Sequence, residues 1–198
     1  MVYSKTAKFF PQLQNNIKEY LGNLPEDAWP NFSLGQLGES RIATRVDPKY
    51  INALNMLLMM LPGTPITLYG DEVGITDERM KFEEDSINKR IYQEVSSLRE
   101  SETIGFGTHH IKVDGDIFIL ARLKKGNPGF IYLANFGLEE GTVNVKEDPT
   151  KIENMADRGI LTVGHPLTEE MPVGASIDMN AIVVPPGAAI LITFVPDF

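Results

Sequence analysis

The sequence predicts an α/β fold that passes into an all-β domain, and three observations support this prediction. In the first half, two short β-type runs flank an apolar helix, with short connections between them. A strand–helix–strand order of this kind makes the two strands parallel, because parallel strands need a crossover connection. After Gly105 the pattern changes to period two, with turn residues between short runs, which is typical of an antiparallel β-sandwich. We therefore predict an α/β part over residues 1–104 and a β-sandwich over residues 105–198.

Amphipathic helices are predicted over residues 6–22 and 85–100. In each of them, apolar side chains recur at spacings of three and four, so that one face is apolar and the other polar. The apolar faces comprise Phe9, Leu13, Ile17, Tyr20 and Leu21 in the first helix and Ile87, Ile91, Val95 and Leu98 in the second. We expect each helix to lie against a core with one face only.

The helix between the two β-type runs has a different character. It starts at Asp47-Pro48, which supplies a side-chain acceptor at the N-cap and a proline in the first turn. Within residues 51–61 only Asn52 and Asn55 are polar. A helix that is apolar around most of its girth must be covered on more than one side. This helix is therefore predicted to lie inside the protein.

The two β-type runs are residues 32–34 and residues 65–69. The second run is directly followed by Gly70 and the acid pair Asp71-Glu72. In (β/α) barrels, the loops after the carboxyl ends of the strands carry the functional residues. Asp71 and Glu72 are therefore candidates for a site.

Composition and charge exclude several classes of protein. The formal net charge is -9, and both halves of the chain are mildly acidic, which argues against a nucleic-acid binder with a positive surface for phosphates. The chain has no cysteine, so it has neither disulfides nor thiolate metal sites. No apolar run approaches the roughly 18–20 residues that cross a bilayer. Asn31 begins the sequon Asn31-Phe32-Ser33, which permits N-glycosylation in a secretory context.

Three motifs resemble those of a known family. The segments SLGQLGESRIATR, LPGTPITLYGDEVG and VPPGAAILITF are similar to segments of the alpha-amylase family of glycoside hydrolases, and most similar to its alpha-glucosidase branch. The resemblance implies that residues 1–104 are the last part of a (β/α)8 TIM-type barrel, followed by an antiparallel β-sandwich C-terminal domain. It implies no cofactor and no metal.

The first of these motifs departs from the family at the positions that matter for catalysis. In active members, an adjacent His and Asp in this loop bind the reacting sugar and support its oxocarbenium-like transition state. With Gly35 and Arg41 as anchors, Gln36, Leu37 and Gly38 stand where the family has Asn, His and Asp. Loss of two such contacts is expected to lower the rate by about 10² to 10⁵. We therefore predict no catalytic residue in this segment.

Four polar residues near the degenerate loop allow two interpretations. Arg41, Asp71 and Glu72 could line a vestigial pocket, or they could form ion pairs and hydrogen bonds that brace the loops. Glu39 could be a displaced carboxylate, but a shift of one residue moves a side chain away from a substrate that requires close placement. A solvated loop acid is the simpler interpretation of Glu39.

One subgroup of the family has lost its catalytic residues in this way. The heavy subunits of heteromeric amino-acid transporters have one transmembrane helix and an inactive glucosidase-like ectodomain. This resemblance implies a transporter light subunit as partner and a location on the extracellular face of the plasma membrane, with the anchor upstream. The alternatives are an active or secreted alpha-glucosidase, and a structural remnant without a partner.

The number of strands also bears on the partners. The sequence offers two barrel strands, whereas a closed barrel needs eight. We therefore expect these residues to be the C-terminal part of a longer protein, with the rest of the barrel upstream as their nearest partner.

Overall fold

A computed structural model describes the backbone over residues 3–78 and 86–198, and the side chains from residue 12 onward within those ranges. The predicted helix at residues 6–22 is present as α1, which begins three residues earlier. The side chain of Phe9 and residue 85, the first of the second predicted helix, lie outside the described residues. The helices are α1 (Tyr3–Gly22), α2 (Ile42–Arg45), α3 (Ile51–Met60), α4 (Ile87–Ser97) and α5 (Glu102–Phe106).

The two strands of the first half are β1 (Asn31–Ser33) and β2 (Thr64–Ile66), and they pair in parallel. This confirms the parallel pair that was predicted from the order of elements. Strand β2 is shorter than the predicted run at residues 65–69. The reason is that the N–H of Asp71 donates to the carbonyl of Leu68 at 2.9 Å, so the chain already enters a turn there.

Helix α3 is buried along its whole length, as its composition predicted. All ten of its residues are buried, and α4 and the second half of the chain both pack against it. A 3-10 turn over Pro48–Tyr50 leads into the helix, and Asp47 Oδ1 accepts a hydrogen bond from the N–H of Lys49 at 3.0 Å. The predicted N-terminal cap is therefore confirmed.

The second half of the chain is built from antiparallel strands. These are β3 (Thr108–Asp114), β4 (Ile117–Leu123), β5 (Gly129–Asn135), β6 (Gly141–Val143), β7 (Arg158–His165), β8 (Ser176–Asp178), β9 (Ile182–Val184) and β10 (Ala189–Phe194). Six of them form one sheet in the order β3-β4-β5-β10-β7-β8, and β6 pairs with β9 in a separate ribbon. Period-two patterning predicted short antiparallel strands in this part of the chain, but it did not predict β3 as an element of its own.

The central strands β4, β5 and β10 of the six-stranded sheet are buried on both faces, and each face belongs to a different core. Phe118 and Leu120 on β4 point toward α3, whereas Ile119 and Ala121 point toward the ribbon of β6 and β9. Neighbouring strands of this sheet pair in antiparallel fashion, so the predicted antiparallel all-β character is confirmed. A sandwich of two full sheets stays a prediction, because the described second layer is a two-stranded ribbon with its flanking loops.

The core that contains α3 continues from the first half into the second. Tyr132 Oη on β5 donates to the carbonyl of Ala53 at 2.6 Å, and Tyr50 Oη donates to the carbonyl of Phe136 at 2.9 Å. The division of the chain at residue 104 follows the change of element type and stays a prediction. Among the described helices, none has the length and apolar character needed to cross a membrane.

Candidate functional site

The degenerate loop forms a tight turn at the carboxyl end of β1. The N–H of Glu39 donates to the carbonyl of Gln36 at 3.1 Å, and Gly38 has a φ of 89°. A positive φ at the third turn residue favours glycine, because a side chain there is strained. Leu37 occupies the corner of this turn and is 86% exposed. Residues 36–38, which are predicted to stand at the family's His-Asp positions, therefore form a turn that presents an apolar side chain to solvent.

The start of the loop lies against the turn that follows β2. A Cβ atom added at Gly35 would lie 2.6 Å from Asp71 Oδ2 and 2.9 Å from Leu68 Cδ1. Real Cβ atoms do not approach other atoms so closely, so a larger residue here would force the side chains of Asp71 or Leu68 to shift. The close approach fixes the distance between the loops that follow the two strands.

Arg41 holds the other end of the loop through three contacts. Its main-chain N–H donates to Asp77 Oδ1 at 3.0 Å, and its Nη1 donates to the carbonyl of Tyr69 at 2.7 Å. The same Nη1 lies 3.6 Å from Asp71 Oδ1. The fold thus brings together Arg41 and Asp71, two candidates that are far apart in sequence.

Asp71 is a buried carboxylate with few partners. It is 1% exposed, and neither carboxylate oxygen accepts a hydrogen bond from the described residues. Burial raises the pKa of this carboxyl, Arg41 and Arg45 oppose the increase, and Glu72 adds to it. The main-chain carbonyl of Asp71, by contrast, accepts a hydrogen bond from Nδ2 of Asn55 at 3.1 Å. Arg41 is therefore the nearest charge that compensates Asp71.

Glu72 braces its own turn. Its Oε2 accepts a hydrogen bond from the N–H of Gly70 at 2.7 Å. Glu72 is not among the residues that line the adjacent cavity. This geometry matches the bracing interpretation of the acid pair.

An open cavity of about 290 Å³ lies between the two loops. Its lining comprises Gly35, Gln36, Leu37, Gly38, Glu39, Ser40, Arg41, Leu68, Tyr69 and Asp77. The two carboxylates in this lining are Glu39 and Asp77. The N–H of Arg41, with the Ser40 and Thr44 side chains, lowers the pKa of Asp77. Asp77 is thus an anion at neutral pH and cannot serve there as a general acid.

Other sequence candidates lie outside this cavity. Asn31 is exposed at the start of β1, with its N–H directed to Tyr20 Oη at 3.3 Å. Its glycosylation stays a prediction. The part of the chain that the structure describes holds no group of three or more His, Cys, Asp or Glu residues able to bind a metal ion. Sequence reasoning missed Asp77 and Asn55, because their contacts to Arg41 and Asp71 arise only when distant segments meet.

A profile of the alpha-amylase catalytic domain matches residues 2–104, which are 103 of the 198 residues. The chain belongs to the alpha-amylase family. The family resemblance of the sequence motifs is confirmed, and so is the likeness to transporter heavy chains. The amino acid transporter heavy chain SLC3A1 of Rattus norvegicus is 51% identical over 61 residues, which cover 31% of this chain and 9% of the relative.

Insect maltases and alpha-glucosidases are also similar. Maltase A1 of Drosophila melanogaster is 33% identical over 69 residues, which cover 35% of this chain and 12% of the maltase. An alpha-glucosidase of Culex pipiens is 32% identical over 99 residues, which cover 49% of this chain and 16% of that enzyme. The matched part is therefore a small share of each full-length relative.

Solved structures of this family have the same fold. An Anoxybacillus alpha-amylase superposes with a TM-score of 0.70 at 13% identity, over 100% of this chain and 46% of the enzyme. The trehalulose synthase MutB R284C mutant superposes with a TM-score of 0.69 at 14% identity, over 91% of this chain and 46% of the enzyme. The chain thus spans about half the length of these alpha-amylase-family barrel enzymes, and the likeness concerns the fold alone.

Proposed function

We propose that this chain is part of a non-catalytic, glycosidase-like heavy subunit that supports an amino-acid transporter. The observation that carries the proposal is the turn Gln36-Leu37-Gly38. It stands where active family members carry an adjacent His and Asp. Leu37 has no hydrogen-bonding group for a sugar hydroxyl, and Gly38 has no charge.

The physical cost of this replacement supports a non-catalytic role. A retaining glycosidase gains several kcal/mol from contacts with sugar hydroxyls that tighten in the transition state. Leu37 is 86% exposed at the corner of its turn, and Glu39 and Asp77 line an open cavity. Arg41 lies 3.6 Å from Asp71 Oδ1 and donates to the carbonyl of Tyr69, so these two residues act as supports of the loops.

The partner and the location follow from the same proposal. The similarity to the SLC3A1 heavy chain of Rattus norvegicus supports a transporter light subunit as the partner. The protein would then lie on the extracellular face of the plasma membrane, with its anchor upstream, and the rest of the barrel would cover the open edges of β1 and β2. N-glycosylation at Asn31 belongs to this proposal only if its side chain stays exposed in the complete protein.

An alpha-glucosidase is the second candidate function. The similarity to insect maltases and alpha-glucosidases favours it. In this case the nucleophile and the acid/base carboxylate would come from strands outside this sequence, and the enzyme would tolerate the turn at residues 36–38.

The two candidates are separated by two measurements on the full-length protein. One is co-purification with a co-expressed amino-acid transporter subunit, together with transport at the cell surface. The other is hydrolysis of a chromogenic alpha-glucoside, with Maltase A1 as the active control. We expect complex formation without hydrolysis. Hydrolysis by the purified protein without binding to any transporter subunit would overturn the proposal in favour of the glucosidase.

A further inference from the structure

One face of the six-stranded sheet packs against helices of the first half of the chain. Helix α3 contacts β4, β5 and β10, and α4 contacts β7. On this face, Val163 of β7 and its partner Leu191 of β10 belong to the core that contains α3. Farther along the same two strands, Ile160 pairs with Thr193. Because side chains alternate along a strand and paired residues share a face, Ile160 and Thr193 lie on the same face as Leu191.

An open apolar groove of about 440 Å³ lies at this pair of residues. Ile160 is 48% exposed, whereas the next residue of its strand, Leu161, is fully buried. Val195, which follows β10, also lines the groove and is 77% exposed. Burial of such aliphatic side chains is favourable, because it removes apolar surface from water. The groove thus continues the interface between the sheet and the helices, and among the described residues its apolar wall faces solvent.

The polar groups that line the groove already have partners. The hydroxyl groups of Thr162 and Thr193 share a hydrogen bond of 2.6 Å. Arg158 donates from Nε to Ser176 Oγ at 2.8 Å and from Nη2 to the carbonyl of Ser176 at 3.0 Å. Asp178 pairs with Arg158 across β7 and β8 and offsets part of its charge. The groove therefore fits an occupant with an apolar surface rather than a polar ligand.

We propose that the groove is covered by the part of the barrel that lies upstream of this sequence. In a (β/α) barrel each of the eight strands is followed by a helix, and the helices form an outer ring. Helices α3 and α4 follow β1 and β2 in this way, and both pack against the sheet. Helix α5 continues this layer to the groove, because Thr103 Oγ1 donates to the carbonyl of Pro128, a lining residue, at 2.7 Å. The remaining elements of the ring supply further apolar surface in the same layer.

A second copy of this chain is the other candidate occupant of the groove. The upstream barrel is favoured because α3, α4 and α5 already cover the neighbouring parts of the sheet in one continuous layer. The inference rests on the family fold alone. It does not depend on whether the complete protein supports a transporter or cleaves a glucoside, so its test can fail while the proposed function stands.

The test measures the accessibility of introduced thiols in the full-length protein, purified alone and without added ligand. The 198 residues contain no cysteine, so Ile160→Cys, Val195→Cys and Val183→Cys each add one thiol to this part of the protein. Val183 is the control, since it is 39% exposed on β9 between two buried residues. Each alkylation rate is divided by the rate of the same thiol in the urea-unfolded protein. Mass spectrometry of the labelled peptide separates these thiols from any elsewhere.

Without a cover, the thiols at positions 160 and 195 should react at least as fast as the control, because both positions are more exposed than Val183. We expect the opposite order, with both thiols at least about tenfold slower than the control, because a covered thiol reacts only after local opening. Two separate variants keep the test valid if one of them fails to fold.

Two outcomes would overturn the proposal. One is a normalised rate at either position that equals or exceeds the rate of the control. The other is protection that disappears when the protein is diluted, which would assign the groove to a second copy of the chain.

Discussion

Arg122 donates from Nη1 to the main-chain carbonyl of Met60 at 2.9 Å. Met60 is the last residue of α3, and carbonyls at a helix C-terminus lack partners within the helix. Arg122 is 1% exposed, and its other donors reach the carbonyls of Gly107 and Thr108. Burial and the nearby Arg99 lower the pKa of Arg122 to about 10, so it stays charged at neutral pH. A buried cation on β4 therefore satisfies the end of a helix in the other half of the chain.

Arg99 adds a second cation at the same helix end. It follows α4 and donates to the carbonyls of Met59, Leu61 and Gly63. Positive charge at a helix C-terminus is favourable, because the macrodipole is negative there. Together, Arg99 and Arg122 join α3, α4 and the six-stranded sheet into one packed unit.

Arg122→Met is expected to lower the free energy of unfolding by about 3–5 kcal/mol, because it leaves buried carbonyls without donors. Chemical denaturation at pH 7 measures this loss. Arg158→Met is the matched control, since Arg158 is exposed and, among the described residues, its side-chain hydrogen bonds go to Ser176. Similar losses in both variants would show that burial at the helix end does not matter.

Gly35→Ala is expected to destabilise the protein by about 1–3 kcal/mol, which is typical of overpacking. The new methyl group would meet Asp71 Oδ2 at 2.6 Å and Leu68 Cδ1 at 2.9 Å. Thermal unfolding is the measurement. At Gly105 on α5, an added methyl group would enter open space, so the same substitution is expected to be neutral or stabilising there. A neutral Gly35→Ala would mean that the two loops are not held against each other.

Two single substitutions in the turn at residues 36–39 measure separately what its backbone conformation and its exposed side chain contribute to stability. Gly38→Ala is expected to cost about 1 kcal/mol, because φ is 89° there. Leu37→Ala is expected to change stability by less than about 0.5 kcal/mol, because the side chain is 86% exposed. Urea unfolding of both variants checks this order. A larger loss for Leu37→Ala would indicate that Leu37 packs against another part of the protein.

Asp71→Asn is expected to change how stability depends on pH. The pKa of Asp71 is raised above 3.8 in the folded state, so folding favours its protonated form. The contribution of this proton uptake to the free energy of unfolding is fully present below pH 3.8, and it is lost as the pH rises through the pKa of Asp71 in the folded state. As the pH rises from 3.8, the unmodified protein should therefore lose stability relative to Asp71→Asn. The quantity compared is the free energy of unfolding of the two proteins.

Urea unfolding at a series of pH values tests this sign, with Asp77→Asn as the opposite case. The pKa of Asp77 is lowered in the folded state, with the hydrogen bond from Arg41 N–H as the largest cause. Its contribution is present above pH 3.8 and is lost as the pH falls through its folded pKa. Asp77→Asn should therefore lose stability relative to the unmodified protein as the pH rises. Parallel curves for the two variants would contradict the assigned directions.

Local sequence was sufficient to predict an element whose own residues require its structure and its burial. Helix α3 could be predicted because its apolar composition requires burial and its Asp47-Pro48 start supplies a cap. Strand β3 was missed because its sequence THHIKVD has little apolar alternation, and its place in the sheet depends on pairing with β4. The length of β2 was overestimated because the turn at Leu68 is closed by a hydrogen bond that local propensity does not report.

By itself, the sequence determined the family and the parallel strand–helix–strand order of the first half, and it predicted the loss of the His-Asp pair, because each of these depends on contiguous motifs. Only the tertiary structure decided that Asp71 lies against Gly35 and Arg41, and that Arg122 closes the end of α3. These contacts join segments far apart in the chain. Their energies depend on burial and distance, and neither quantity exists until the segments pack together.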